Sequence, residues 1–140
     1  MICFTDSVEN ITPEMLAGFS EGWVLRPSAH THLEILASSP FVVLAIDESV
    51  GRVVGFINAI SDNVLSAYVP LLEVLPQYRN RGVGKELLTR MLAKLDNFYM
   101  IDLVCERKQQ PFHASCGMSA AEYGCTAMMV RNHRRLPAGR

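Results

Sequence analysis

The chain has 140 residues, 49% of them hydrophobic and 19% charged, so one folded domain covering residues 1–140 is expected and a disordered chain is excluded. The 13 Lys and Arg residues and 14 Asp and Glu residues give a net charge of −1. Nucleic-acid-binding proteins usually carry a basic excess, so this charge argues against nucleic acid as a partner. The apolar runs fall far short of the ~20 residues that span a bilayer, which argues against a membrane partner.

Two helices are predicted in the N-terminal part of the chain, after a short first strand at residues 1–5. The first helix starts at Thr12 as its N-cap, with Pro13 at the first helical position, and Gly22 is its predicted stop. The second is predicted at residues 28–38. Each has an apolar stripe, so each is expected to pack one face on the core.

Three antiparallel strands are predicted in the centre of the chain. Residues 41–46 and 53–60 are rich in β-branched side chains, and the polar, glycine-bearing segment between them indicates a hairpin. A third strand at residues 65–75 is expected to be irregular, because Pro70 cannot donate a backbone hydrogen bond. The pattern therefore predicts a meander.

A helix and another strand follow the meander. After Pro76 the apolar residues recur at helical spacing, at Val83, Leu87, Leu88, Met91, Leu92 and Leu95. A strand at residues 99–104 should then pair beside the third strand across this helical crossover. A short helix at residues 110–116 and a terminal strand at residues 126–131 complete the order. The prediction is an α+β fold with a mixed, mostly antiparallel sheet and flanking helices.

Two further expectations concern assembly and compartment. An exposed terminal strand could pair between subunits, so a homodimer is compatible with the pattern. Four cysteines form no C-x-x-C pair, which gives no indication of a metal site. No charged leader with an apolar segment begins the chain, so reduced thiols in a cytoplasmic protein are expected.

The segment at residues 79–85 has the properties of an anion-binding loop at a helix N-terminus. The first backbone N–H groups of a helix have no partner within it, and the helix dipole adds partial positive charge there. Gly82 and Gly84 remove side chains that would block these donors, while Arg79, Arg81 and Lys85 add formal charge. The combination favours a diphosphate ligand.

Two better-known phosphate loops do not fit this segment. A P-loop requires Ser or Thr after its lysine, but Glu86 follows Lys85. A dinucleotide-binding fingerprint requires a third glycine and a parallel sheet, and neither is predicted here.

Residues 72–88 (LEVLPQYRNRGVGKELL) closely resemble the signature of the GCN5-related N-acetyltransferase (GNAT) family: a strand ending in V-x-P, a Gln/Arg-x-x-Gly-x-Gly/Ala loop and an amphipathic helix. Residues 110–118 (QPFHASCGM) resemble a second element of that family, in which Phe-Tyr is followed three residues later by Gly-Phe. The predicted order of elements also matches the family fold along nearly the whole chain. The resemblance implies one GNAT-like domain whose sheet splays at its centre.

In that family acyl-coenzyme A lies between two splayed strands, here those ending near Val74 and Val104. The resemblance implies that the main chain around Leu72 polarises the thioester carbonyl and that the loop amides hold the pyrophosphate. The coenzyme-binding residues so implied are Leu72, Val74, Arg79, Asn80, Arg81, Gly82, Val83, Gly84 and Lys85. Acetyl-coenzyme A is the implied co-substrate, and no metal is required.

The implied reaction is direct attack of a neutral primary amine on the thioester, without an acyl-enzyme. Glu73 and Asp102 are the candidates for the base that removes the amine proton, with Tyr68 a weaker third. His113 occupies the position where the family commonly has tyrosine, and its imidazole could protonate the departing thiolate. The alternative is that His113 only lines the cleft and water supplies this proton.

Other interpretations remain open at this stage. Cys105 and Cys116 flank the implied thioester site, so a nucleophilic cysteine is an alternative to direct attack, although buried structural cysteine is commoner. The missing tyrosine favours a second function, a non-catalytic acyl-CoA-binding module. A small-molecule or peptide amine is the expected acceptor, selected by segments that hold Trp23, Arg26, His30, His32 and Tyr123.

Overall fold

In the described part of the chain five strands form one sheet, and their order across it follows their order in the sequence. The computed structural model describes residues 1–121 and 126–131. The strands are β1 (Ile2–Thr5), β2 (Phe41–Asp47), β3 (Arg52–Ser61), β4 (Ser66–Val74) and β5 (Met100–Leu103). The helices are α1 (Ala29–Ser38), α2 (Val83–Lys94) and α3 (Gln110–Ser115), with 3-10 turns at Pro13–Leu16, Pro76–Tyr78 and Arg107–Gln109.

The sheet confirms the predicted α+β class, the antiparallel meander and the pairing of the next strand beside it. Strands β1 to β4 pair antiparallel with their neighbours, and the β2–β3 hairpin turns at the polar segment between them. Helix α2 carries the chain across the sheet, so β5 pairs parallel with β4. The sheet is therefore mixed and mostly antiparallel, with helices against it.

The first predicted helix is much shorter than expected. Only the 3-10 turn Pro13–Leu16 forms, and the Thr12 side chain makes no capping hydrogen bond. Ala17 is already extended, and Gly18 has a φ of 98°, which ends the turn well before Gly22. The prediction was wrong here because an apolar stripe can be buried by an irregular segment as well as by a helix.

The predicted terminal strand at residues 126–131 is also wrong. These residues are described, but they lie in no strand, and Met128, Met129 and Val130 are exposed. β-branched and apolar residues favour a strand only where a neighbouring strand accepts their hydrogen bonds. The sheet instead ends at β5. Tyr123, which we named among the acceptor segments, lies outside the described residues.

Helix α2 lies unusually close to the sheet at Gly55 of β3. A Cβ atom on Gly55 would stand 3.0 Å from Leu87 Cδ1, 3.2 Å from Val83 Cγ1 and 3.2 Å from the Glu73 carbonyl oxygen. Leu87 and its neighbours Leu88, Met91 and Leu95 are fully buried in the same core. This close approach sets where the N-terminus of α2 meets the end of β4.

Strands β4 and β5 separate after four paired residues. The last pair is Val69 with Leu103, and Pro70 comes next, without an N–H to donate. The register of β4 with β3 shifts at this point, and the Asn58 side chain accepts a hydrogen bond from the Leu71 amide (3.2 Å). Strand β4 then continues to Val74 paired only with β3. The expected central splay is thereby confirmed.

The narrow space at Gly55 generates a stability prediction. Gly55→Ala should lower the free energy of unfolding by roughly 1–3 kcal/mol, because the added methyl overpacks the contact between α2 and β3. Urea unfolding would measure the change, with Thr89→Ala on the exposed face of α2 as the control. An unchanged midpoint in Gly55→Ala would contradict the tight contact.

Candidate active site

A cleft of about 880 Å³ opens where β4 and β5 separate. Its walls come from the free part of β4, the end of β5, the loop that leads into α2, helix α3 and the irregular segment at residues 18–23. Residues from all five regions face this one space, among them Glu73, Val104, Gly84, His113 and Ser20. The splay therefore brings the predicted coenzyme loop and several ionisable groups together.

The loop into α2 presents a row of backbone donors to the cleft. Asn80 and Gly82 both have left-handed φ angles, of 60° and 81°, and the first helical bond runs from the Glu86 amide to the Gly82 carbonyl (3.1 Å). None of the amides of residues 80–85 donates to an acceptor within residues 1–121 and 126–131. Unpaired amides at a helix N-terminus fit an anion such as a diphosphate.

Cationic side chains flank this row of amides. Arg79 lines the cleft, and its Nε donates to the Val74 carbonyl (3.0 Å), which ties the loop to the end of β4. Lys85 on α2 and Lys108 in the turn before α3 also line the cleft. Sequence reasoning missed Lys108, since no motif includes it. Their charge would add to the attraction of the amides for a polyanion.

Arg81 points elsewhere, although it belongs to the same loop. Its guanidinium lies 5.0 Å from the centre of the Tyr78 ring, and it does not line the cleft. The Tyr78 hydroxyl donates to Asp47 Oδ2 (2.7 Å) at the end of β2. Hydrogen bonds from Ser49 and then from Tyr78 lower the pKa of Asp47 to about 2. Arg81 and Tyr78 thus anchor the loop to the sheet.

Glu73 lies in the cleft at the end of a buried chain of hydrogen bonds. Its Oε2 accepts from the Ser20 amide (2.8 Å), and its Oε1 accepts from the Ser20 hydroxyl (3.0 Å). The same hydroxyl contacts His32 Nε2 (3.0 Å), and His32 Nδ1 contacts the Ser28 carbonyl (2.9 Å). Ser20 and His32 are each 2% exposed. Sequence reasoning gave Ser20 no role, because it belongs to no motif.

His113 lies on α3 with only 8% of its surface exposed. Its Nδ1 is 3.0 Å from the Gln109 carbonyl, which can only accept, so Nδ1 carries the proton of the neutral ring. No buried side-chain nitrogen or oxygen lacks a partner within the described part of the chain, so the unbonded Nε2 opens to solvent. That atom can donate a proton only when the ring is an imidazolium.

The remaining predicted residues fall into two groups. Leu72, Val74, Asn80, Gly82 and Gly84 line the cleft with Arg79 and Lys85. The others do not line it: Val83 is buried in the core, Asp102 is exposed on β5 where it pairs with Tyr68, and Cys116 packs against the core. Cys105 does line it and is half-buried.

A second cavity of about 450 Å³ adjoins the cleft. Ser20, Trp23, Pro70 and Leu71 border both spaces, and α1 closes the far side with residues such as Ile35. No Asp, Glu, Lys or Arg is among the described residues that line it. The cavity is therefore a largely apolar space that meets the cleft at Ser20.

Within residues 1–121 and 126–131, no three His, Cys, Asp or Glu side chains cluster as a metal site. No helix in the same part of the chain is long and apolar enough to cross a membrane.

Comparisons with known proteins agree with one another. A family model described as the acetyltransferase (GNAT) family matches residues 8–118. GCN5-related N-acetyltransferase 3, chloroplastic, of Arabidopsis thaliana is 36% identical over 81 residues, which cover 56% of this chain and 34% of that protein. The chain spans less than half of the length of the curated relatives it matches.

Solved structures extend the likeness to nearly the whole chain. The crystal structure of a putative acetyltransferase from Deinococcus radiodurans R1 is 40% identical with a TM-score of 0.88, covering 95% of this chain and 90% of that one. AAC(6')-Iy in complex with the bisubstrate analogue CoA-S-monomethyl-acetylneamine has a TM-score of 0.68 at 16% identity, covering 95% and 99%. The second likeness concerns the fold alone.

The bond between Tyr78 and Asp47 gives a pH-dependent prediction. The pKa of Asp47 falls from 3.8 to about 2 on folding, so its bonds stabilise the protein above pH 3.8 and this contribution is lost as the pH falls through 2. Tyr78→Phe should therefore unfold at lower urea concentration near neutral pH, and its difference from the parent should shrink towards pH 2. The exposed Tyr99 supplies the control Tyr99→Phe. If Tyr78→Phe lost the same stability near neutral pH and near pH 2, the hydrogen bond from Tyr78 to ionised Asp47 would not be its cause.

Proposed function

The chain belongs to the GNAT acetyltransferase family, as its sequence resemblance predicts, and from that premise we propose that it transfers an acetyl group from acetyl-coenzyme A to a primary amine. The observation that carries the proposal is the row of unpaired amides at residues 80–85, which opens on the cleft between β4 and β5. AAC(6')-Iy, a protein of the same fold, is described with an analogue that joins coenzyme A to an acceptor. This supports direct attack in a ternary complex.

The coenzyme side of the cleft is built from main-chain groups and cations. When bound there, acetyl-coenzyme A supplies a thioester carbonyl that an amine can attack. The amides of residues 80–85 bind the pyrophosphate, and Arg79, Lys85 and Lys108 balance its charge. Beyond Val69 the outer edge of β4 has no strand partner, so the main chain around Leu72 is free to bind the pantetheine arm and polarise the carbonyl.

Glu73 is the proposed base. Its carboxylate lies in the cleft, and its two oxygens are oriented by the amide and hydroxyl of Ser20. Asp102 is exposed on β5 and does not line the cleft, so it lacks this access. A base must come within hydrogen-bond reach of the proton that it removes, which favours Glu73.

His113 is the proposed acid for the departing thiolate. The bond from Nδ1 to Gln109 holds the ring in the wall of the cleft and leaves Nε2 open to solvent. Because the neutral ring carries its proton on Nδ1, only the imidazolium can donate from Nε2. The role therefore requires a ring that is doubly protonated before the thiolate leaves.

We place the body of the acceptor in the 450 Å³ cavity beside the cleft. The cavity reaches Glu73 through Ser20, and its lining contains Trp23, Ile35 and Ile60 but no charged side chain in the described part of the chain. A second charge on the acceptor would be buried there without a partner of opposite charge. An amine with an apolar, uncharged body therefore fits best.

The proposed function is tested by thiol release from acetyl-coenzyme A with a panel of primary amines. The parent should release thiol, and Glu73→Gln should reduce kcat by roughly 10²- to 10⁴-fold, the usual contribution of a general base. Coenzyme binding, measured by calorimetry, should not change, and Asp102→Asn serves as the carboxylate control. Coenzyme binding without thiol release from any amine would instead identify a non-catalytic acyl-CoA-binding module.

The acid role of His113 gives a separate prediction. In the parent, kcat should decline on the alkaline side as the imidazolium is lost. His113→Asn retains a donor towards Gln109 but cannot protonate a thiolate, so it should lower kcat and remove this decline. Full turnover with an unchanged pH profile would leave His113 as a lining residue only.

A further inference from the structure

The hydroxyl of Ser20 stands between two groups that normally accept hydrogen bonds. It is 3.0 Å from Glu73 Oε1 and 3.0 Å from His32 Nε2. On the far side of the ring, His32 Nδ1 is 2.9 Å from the Ser28 carbonyl. Glu73, Ser20 and His32, which we call the proton chain, thus connect the cleft to a ring that is 2% exposed.

The proton chain lacks one proton when Glu73 is ionised and His32 is neutral. The Ser28 carbonyl can only accept, so His32 Nδ1 donates and the neutral ring has a bare lone pair on Nε2. An ionised Glu73 also only accepts, and the Ser20 hydroxyl has a single proton. With a carboxylate and a neutral ring, one of the two 3.0 Å contacts therefore joins two acceptors.

One added proton gives every contact a donor. If it is on Glu73, the carboxyl donates to Ser20 and the hydroxyl donates to Nε2. If it is on His32, Nε2 donates to Ser20 and the hydroxyl donates to Oε1. A buried acceptor without a donor costs free energy. Uptake of one proton by Glu73, Ser20 and His32 removes this cost.

We propose that Glu73, Ser20 and His32 act as one proton-accepting unit during acetyl transfer. The inference rests on the proposed function and on Glu73 as its base. The amine loses one proton to the Glu73 carboxylate, Ser20 passes its own proton to His32 Nε2, and Ser20 regains a proton from Glu73. The net change is one proton from the amine to the imidazole, with carboxylate and hydroxyl restored. Ser20 and His32 are positioning residues that act through Glu73.

The backbone at Ser20 supports a functional reason for this arrangement. Ser20 has a φ of 61°, a left-handed conformation that non-glycine residues seldom adopt and that costs free energy. It is held there while both its amide and its hydroxyl bond to the same carboxylate. An asparagine or glycine would satisfy the backbone alone, but neither provides a hydroxyl between Glu73 and His32.

The surroundings of His32 make Glu73 the charged group coupled to it. Phe19 and Phe56 pack their rings against the imidazole, with centroids 6.1 and 5.9 Å away. The other ionisable side chains on the segments around it are Glu14 on the 3-10 turn, Glu21 and Arg26 after that turn, His30 and Glu34 on α1, Arg52 on β3 and Tyr68 on β4. Arg26 and Arg52 donate to the carbonyls of Phe19 and Ala17, and His30 and Glu34 are exposed on α1.

Ser20→Gly and His32→Gln test the proton chain. Ser20→Gly keeps the amide that orients Glu73 and suits the left-handed φ, but it removes the hydroxyl. His32→Gln keeps a hydrogen-bonding side chain that cannot accept the proton. Each should lower kcat/KM roughly tenfold, a part of the ~10²- to 10⁴-fold that a general base contributes, and the double variant should lose no more.

The pH profile separates this role from a structural one. Because an interrupted chain holds the proton less tightly, the acid-side decline of kcat/KM should move to lower pH in both variants. Ser119→Ala, an exposed serine far from these contacts, is the matched control and should match the parent. A loss of rate without movement of the acid limb, or no loss of rate, overturns the inference and leaves the proposed function intact.

A second measurement needs no turnover. Nitrogen NMR of the protein with labelled histidine should show that His32 binds its second proton at lower pH in Ser20→Gly and in Glu73→Gln than in the parent. An unchanged titration in both variants overturns the inference even if the folded variants are inactive. If the parent releases no thiol with any amine, the proposed function fails and this titration alone decides whether the coupling exists.

Discussion

The separation of β4 from β5 is the constraint on which the site depends. Two parallel strands that stay paired leave no room between them for a ligand, because their backbone groups satisfy one another. Here pairing ends at Val69 and Leu103, where Pro70 cannot donate and the Asn58 side chain takes over the bond to the Leu71 amide. Strand β4 continues to Val74 with one free edge, and the cleft occupies the space that a longer β5 would fill.

The position of α2 determines what faces that cleft. The missing side chain at Gly55 lets the helix approach β3 closely, and the buried Leu87 and Met91 hold it there. The helix N-terminus then points its unpaired amides at the end of β4, to which Arg79 ties the loop. The same helix thus packs its buried side chains on one face of the sheet and places the positive end of its dipole at the cleft.

The boundary between the cleft and the second cavity depends on an irregular segment rather than on a regular element. Residues 17–23 form no helix, and three of their backbone groups bond to side chains from elsewhere: Arg52 donates to the Ala17 carbonyl, Arg26 donates to the Phe19 carbonyl, and Glu73 accepts from the Ser20 amide. These bonds hold Ser20 in its left-handed conformation against His32. The segment that lines both cavities is therefore fixed by long-range contacts, and it connects the second cavity to Glu73.

Sequence alone determined the antiparallel meander, the crossover through α2 and the row of free amides at the start of α2, because each follows from local properties. The spacing of apolar residues, the backbone freedom of glycine and the free amides at the start of a helix each depend on only a few neighbouring residues. The effect of Gly82 and Gly84 on the loop could therefore be predicted without the fold. Only the tertiary structure decided that Arg81 turns to Tyr78, that Asp102 lies outside the cleft, and that residues 126–131 form no strand. It also joined Ser20 to Glu73 across 53 positions of the chain, since a hydrogen bond between distant residues depends on packing that no local pattern encodes.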